Sequence, residues 1–123
     1  MPKTAPHDRP ARSTVLRSYA GEIHAEPAAV YAAIKERLTP PDPDVSGFTA
    51  DDRELLLIVQ GGWWYRGEYR VLPSPGGARI EHELVNVAQR AHWAGPVAGR
   101  KSIAQSAHVF GRLLTELAAE LET

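Results

Sequence analysis

ELLLIVQGGWWYRGEYRVLPSPGGARIEHELVNVA, residues 54–88, contains three strand-like runs separated by two glycine-bearing turns. The runs are ELLLIVQ (54–60), WWYRGEYRVL (63–72) and ARIEHELVNVA (78–88), split by Gly61 and Gly62 and by Pro73 to Gly77. Strands joined by short turns predict an antiparallel meander, and residue alternation then assigns its dry side. On the middle run the odd positions Trp63, Tyr65, Gly67, Tyr69 and Val71 carry no charge. The even positions Trp64, Arg66, Glu68, Arg70 and Leu72 are mostly charged. One face is therefore expected to be covered and aromatic, the other wet. On the third run the matching dry set is Ala78, Ile80, His82, Leu84, Asn86 and Ala88, with His82 and Asn86 as its polar exceptions.

Upstream, STVLRSYAGEIH (13–24) alternates well enough for an opening strand with Val15, Tyr19 and Ile23 on one side. Pro27 suits the first turn of a helix, where its missing N–H would have had no partner. Val30, Ile34 and Leu38 recur every fourth residue with Tyr31 beside them, and Pro40, Pro41 and Pro43 stop the helix. A short strand is expected at Ser46–Ala50, turning through Asp51, Asp52 and Arg53. Downstream, QRAHWAGPVAGRK (89–101) holds two glycines and a proline and reads as a partly helical loop. Ile103, Ala107, Phe110, Leu114, Leu117 and Leu121 then form one apolar helical stripe, with Ser102 as the expected N-cap and Gln105 three positions on.

The chain has 123 residues, enough for one domain with a single core. Its net charge of -1 gives no basic stripe for nucleic acid, so none is expected as a partner. No window is long and apolar enough for a membrane span. Residues 1–12 carry Lys3, Arg9, Arg12 and several prolines without the apolar run of a signal peptide, and read as a flexible tail before a single domain at 13–123. Cysteine is absent, so there is no disulfide framework, thiol nucleophile or cysteine zinc site, and a cytoplasmic location is the default expectation. Abundant Ala, Arg, Gly and Pro beside a single Met point to a GC-rich bacterial genome.

The element order is strand, helix, antiparallel strands, long helix, an α+β arrangement in which the last helix covers the sheet. The passage GEIHAEPAAVYAAIKERL (21–38) after the opening strand, and the final helix IAQSAHVFGRLLTELAAEL (103–121), make the chain resemble the helix-grip fold of the START-like superfamily. That superfamily includes pollen-allergen-type and polyketide cyclase/dehydrase-like proteins. The resemblance implies a curved sheet wrapped around the C-terminal helix, with a hydrophobic small molecule held between them. Members usually have a longer sheet. Val45–Ala88 holds about four strands by its turn signals, so a shortened member is expected.

In such a fold Trp63, Tyr65, Tyr69, Ile80, Leu84 and Phe110 would wall the pocket, and His82 and Asn86 would orient a polar group of the ligand. Each of these two buried polar residues is satisfied either by a neighbour or by that ligand. Tyr69 is the expected neighbour of His82 across the hairpin. The pair also offers a general base and a carbonyl polariser, the equipment of a cyclase or dehydratase. His92 and Trp93 are candidate lid residues, and Arg90 and Arg100 could meet an acidic head group. The charged set Arg66, Glu68, Arg70, Arg79, Glu81 and Glu83 reads as cross-strand pairing on a solvated surface. Trp64, exposed beside Leu72, Val85 and Val87, could form a patch for a homodimer or another partner. No metal is expected, because His82 faces away from Glu81 and Glu83 on a regular strand, and no HExxH, P-loop or GxGxxG motif calls for a cofactor. Three functions stay open: a small-molecule binder, a cyclase-type enzyme using His82 and Tyr69, and an interaction module with a filled core.

Overall fold

Proline and glycine mark the ends of most elements in the computed structural model, which describes residues 4–42, 44 and 47–122. The order is β1 (Thr14–Ile23), α1 (Pro27–Leu38), β2 (Gly47–Asp51), β3 (Leu56–Gly61), β4 (Tyr65–Ser74), β5 (Gly77–Asn86), α2 (Ala94–Ala98) and α3 (Arg100–Leu121). Among the described residues five strands form one open antiparallel sheet in the order β1-β5-β4-β3-β2. The meander β2 to β5 is thus extended by β1, which pairs with β5. The fold is α+β with a long C-terminal helix, an arrangement compatible with a helix grip.

Pro27 opens α1 as expected, and its end is closed where the Thr39 N–H and hydroxyl both donate to the Lys35 carbonyl. Val30, Tyr31 and Ile34 bury one side of this helix against the sheet. The Tyr31 hydroxyl donates to Asp52 at 2.6 Å, tying the helix to the β2–β3 turn. The same sheet face receives α3 through Phe110 and Leu117, and the two helices share a core with Ile23, Leu57, Val71 and Ile80. Where α3 crosses β1 the approach is close. A Cβ on Gly21 would run into the Leu114 side chain.

Three local expectations are corrected. First, β1 has an irregularity between Val15 and Arg17 that takes Leu16 out of the ladder. A one-residue slip reverses every side chain beyond it, so Val15 pairs with Val85 and is 40% exposed instead of sharing the side of Tyr19 and Ile23. Second, α3 starts at Arg100 with Gly99 as its N-cap and no side-chain cap, so Ser102 lies inside the first turn and caps nothing. Third, Ala107 is exposed, and the buried stripe passes through Ile103, Phe110 and Leu117. The short strand before Asp51 begins at Gly47, with Ser46 outside the described residues.

The face opposite the helices is covered in part by the chain's own start. Residues 4–12, read as a flexible tail, lie across β2, β3, β4 and β5. Ala5 is buried with Leu56 and Ile58, and its carbonyl accepts from the Thr49 hydroxyl. Arg66 is 1% exposed beneath this arm, which overturns its place on a solvated face. Its guanidinium donates to the Pro6 and His7 carbonyls at 2.7 and 2.8 Å, to Gln60 Oε1 at 3.1 Å, and to Glu68 at 2.7 Å. Arg9 closes the arm with a two-pronged bond to Glu68 and a further one to Glu83. Burial alone would raise the Glu68 carboxyl, but the hydrogen bonds from Arg9 and Arg66 hold it below the ordinary carboxylate value. No helix among the described residues is long and apolar enough to cross a membrane.

Candidate functional site

His82 sits at the centre of an aromatic row. On β5 it pairs in register with Tyr19 of β1 on one side and with Tyr69 of β4 on the other. Side chains directly opposite on neighbouring strands point to the same face, so the three rings line up across the sheet. The Tyr69 ring stacks on His82 at 4.0 Å and 10°. From α3, Phe110 lies against the row, 5.6 Å from His82 and 5.7 Å from Tyr19, with interplanar angles of 23° and 20°. The Tyr19 hydroxyl is tied to Ser106 of the same helix at 2.6 Å.

Beside this row the space between β4, β5 and α3 forms a cleft of ≈ 510 Å³. Tyr65, Tyr69, His82 and Leu84 line its sheet side. Ser102, Ser106, Val109, Phe110, Arg112 and Leu113 are among the residues of its helix side, and Leu38 of α1 also borders it. Gly67 makes room for the Tyr65 ring on the strand between Tyr65 and Tyr69. A Cβ there would meet the Tyr65 hydroxyl at 2.6 Å and His82 Cε1 at 3.6 Å, so only glycine lets the Tyr65 ring fold back over the strand.

The protonation of His82 follows from its surroundings. Nδ1 lies 3.0 Å from the backbone carbonyl of Glu68. A carbonyl only accepts, so Nδ1 carries the hydrogen and donates. Burial lowers the imidazole's affinity for a second proton and outweighs the opposite pull of the Glu68 carbonyl and of the Glu83 and Glu68 charges. The ring is therefore neutral near pH 7, and Nε2 is left as an acceptor with no partner among the described residues. The hydroxyls of Tyr65 and Tyr69 likewise have no hydrogen-bond partner among the described residues, and burial holds both phenols above their ordinary value. A cleft with uncommitted polar atoms at Tyr65, Tyr69 and His82 on its sheet side, and with Ser102, Gln105, Arg112 and Glu116 on its helix side, suits a small polar-headed ligand.

Of the residues predicted for a site, Tyr65, Tyr69, His82, Leu84 and Phe110 line this one cleft. Ile80 is fully buried in the core beneath and does not border it. Trp63 is 50% exposed, because β4 begins only at Tyr65 and residues 62–64 belong to a turn with Gly62 at φ 60°. The alternation that placed it in the pocket does not extend so far. Trp64, expected outside, packs its ring against Gly99, where a Cβ would clash with it. Its supposed patch is gone as well, since Val85 and Val87 are buried.

Asn86 finds its partners within the chain, donating to the His92 carbonyl at 2.7 Å and accepting from the Ala88 N–H at 3.1 Å. His92 anchors the same loop, with Nδ1 2.6 Å from the Ala88 carbonyl and Nε2 2.9 Å from the Thr14 hydroxyl. Trp93 is 76% exposed and borders no part of the cleft. Arg90 and Arg100 are exposed away from it. Asn86 and His92 thus fasten the loop, and do not face the cleft.

The helix side of the cleft escaped sequence reading. Ser102, Ser106, Val109, Leu113 and Glu116 recur at spacings of four and three, a second stripe flanking the apolar one. That periodicity was available, but the residue types are mixed and gave it no chemical signature. Tyr19 was visible as a strand residue only, since its place beside His82 depends on the β1–β5 register. Among the described residues no group of three or more His, Asp or Glu side chains is placed to hold a metal ion. No family model matches this chain, and no curated protein or solved structure matches it either.

Proposed function

We propose that this is a shortened helix-grip domain of the START-like kind, and that it binds a hydrophobic, aromatic small molecule between the sheet and α3. The observation that carries the reading is the cleft of ≈ 510 Å³ beside the stacked rings of Tyr69, His82 and Phe110. Its volume lies within the ~300–1,000 Å³ of small-molecule sites, and apolar side chains share its lining with polar ones. Fluorescence titration with N-phenyl-1-naphthylamine tests the reading. Saturable binding is expected, and Val109→Trp, which places an indole at the cleft from an exposed helix position, should weaken it about tenfold or more with Tm little changed. Equal binding by the two proteins would remove the cleft from consideration.

A second reading has its own support. A neutral imidazole with a free Nε2 beside two phenols is also the equipment for removing a proton next to a carbonyl while a tyrosine hydroxyl polarises that carbonyl. In a cyclase or dehydratase, His82 would be the base and Tyr69 the polariser. Turnover of a poly-β-ketone, with a rate that falls as His82 takes up a proton, would favour this reading over simple binding.

A further inference from the structure

We propose that the cleft selects flat aromatic ligands that bring a hydroxyl or N–H donor to Nε2 of His82, and discriminates against the same ring bearing only an acceptor. The inference rests on the small-molecule reading above and names the class of ligand that the site would take. Its basis is directional. The Glu68 carbonyl fixes which nitrogen of His82 carries the hydrogen, so the cleft-lining ring offers a lone pair and nothing else. The hydroxyls of Tyr65 and Tyr69 can turn to donate or accept, and so impose no polarity of their own. His82 cannot turn. It is held in register between Tyr19 and Tyr69, stacked on Tyr69 at 4.0 Å and flanked by Phe110 at 5.6 Å.

The shape requirement comes from the same rings. Tyr19, Tyr69, His82 and Phe110 are within 10° to 27° of parallel in their close pairs, which makes a slab that a planar ligand can continue. A ligand acceptor set against Nε2 would strip water from the lone pair and return no hydrogen bond. An unmade bond of that kind lowers affinity by about tenfold or more.

The full chain is titrated with 2-naphthol and with 2-methoxynaphthalene, each displacing N-phenyl-1-naphthylamine, at a pH about one unit above the ordinary histidine value. The naphthol should bind about tenfold or more tightly. His82→Phe, which keeps a ring in the stack, should bring the two ligands within about twofold of each other. In the free protein the imidazole nitrogen NMR shifts should report the Nδ1–H tautomer. Equal wild-type affinities would overturn donor selection while leaving small-molecule binding intact. A preference that survives His82→Phe, or an Nε2–H tautomer, would also overturn it. Failure of both naphthalenes to enter the cleft would overturn the selection together with the reading beneath it.

Discussion

Arg66 illustrates what alternation leaves unsaid. It occupies an even position on β4 among charged neighbours, and strand parity correctly assigns it to the face away from the helices. Its burial depends on residues 4–12 returning from about sixty positions earlier in sequence, as the contacts with Pro6 and His7 show. Nothing local to β4 encodes that. Removing one member of a buried, hydrogen-bonded charge pair is costly because the other is left uncompensated. Arg66→Met should therefore lower unfolding free energy by about 3 kcal/mol, read from the urea midpoint at unchanged slope. A change within about 0.5 kcal/mol, as at an ordinary surface site, would mean that the arm is not held through this residue. His82 shows the converse. Its place on the dry face was legible from parity, whereas its tautomer needed the Glu68 carbonyl, a partner with no sequence signature.

Element by element, the central positions were more legible than the ends. The cores of β3, β4, β5, α1 and α3 follow from apolar spacing, and β4 still begins two residues later than its aromatic run. The glycine turn reaches forward as far as Trp64, and the two tryptophans consequently exchange their expected environments. A similar local constraint is visible before α2. Ala91 has φ 47°, a left-handed conformation that crowds a Cβ against the backbone, and its carbonyl accepts from the Ala94 N–H at 2.8 Å. Ala91→Gly relieves this crowding at the cost of some added freedom in the unfolded chain. A net gain of about 0.5–1 kcal/mol is expected, measured as a rise in Tm. A fall would show that the entropy of the glycine dominates at this turn.

On the scale of the whole molecule, acid should weaken the fold in two stages. His82 is depressed below its ordinary 6.5 by burial, so the unfolded chain takes up that proton first as the pH falls. Stability is full above about 6.5 and declines from there to the folded-state value. Glu68 is held below its ordinary 4.5 by Arg9 and Arg66, so its contribution is present above that pH and is lost as the pH falls through the folded-state value. His7, raised by Asp8 and Asp51, has the opposite sign, contributing below 6.5 and fading as pH rises, but it is exposed and screened. Urea midpoints taken across this range should drop below neutrality, and His82→Phe should flatten the upper stage alone. An unaltered upper stage in that variant would assign the acid sensitivity to another group.

The arm's attachment has a further consequence for which changes near the N-terminus the protein can absorb. Arg66 grips Pro6 and His7 by their carbonyl oxygens, which every amino acid possesses, while Ala5 and Arg9 engage through their own side chains or a tight fit. For the Arg66 grip, residues 6 and 7 are therefore free in identity but fixed in number. A swap there preserves the Arg66 grip and gives up at most the exposed His7–Asp51 contact, whereas a single deletion between Ala5 and Arg9 shifts one anchor out of phase with the other.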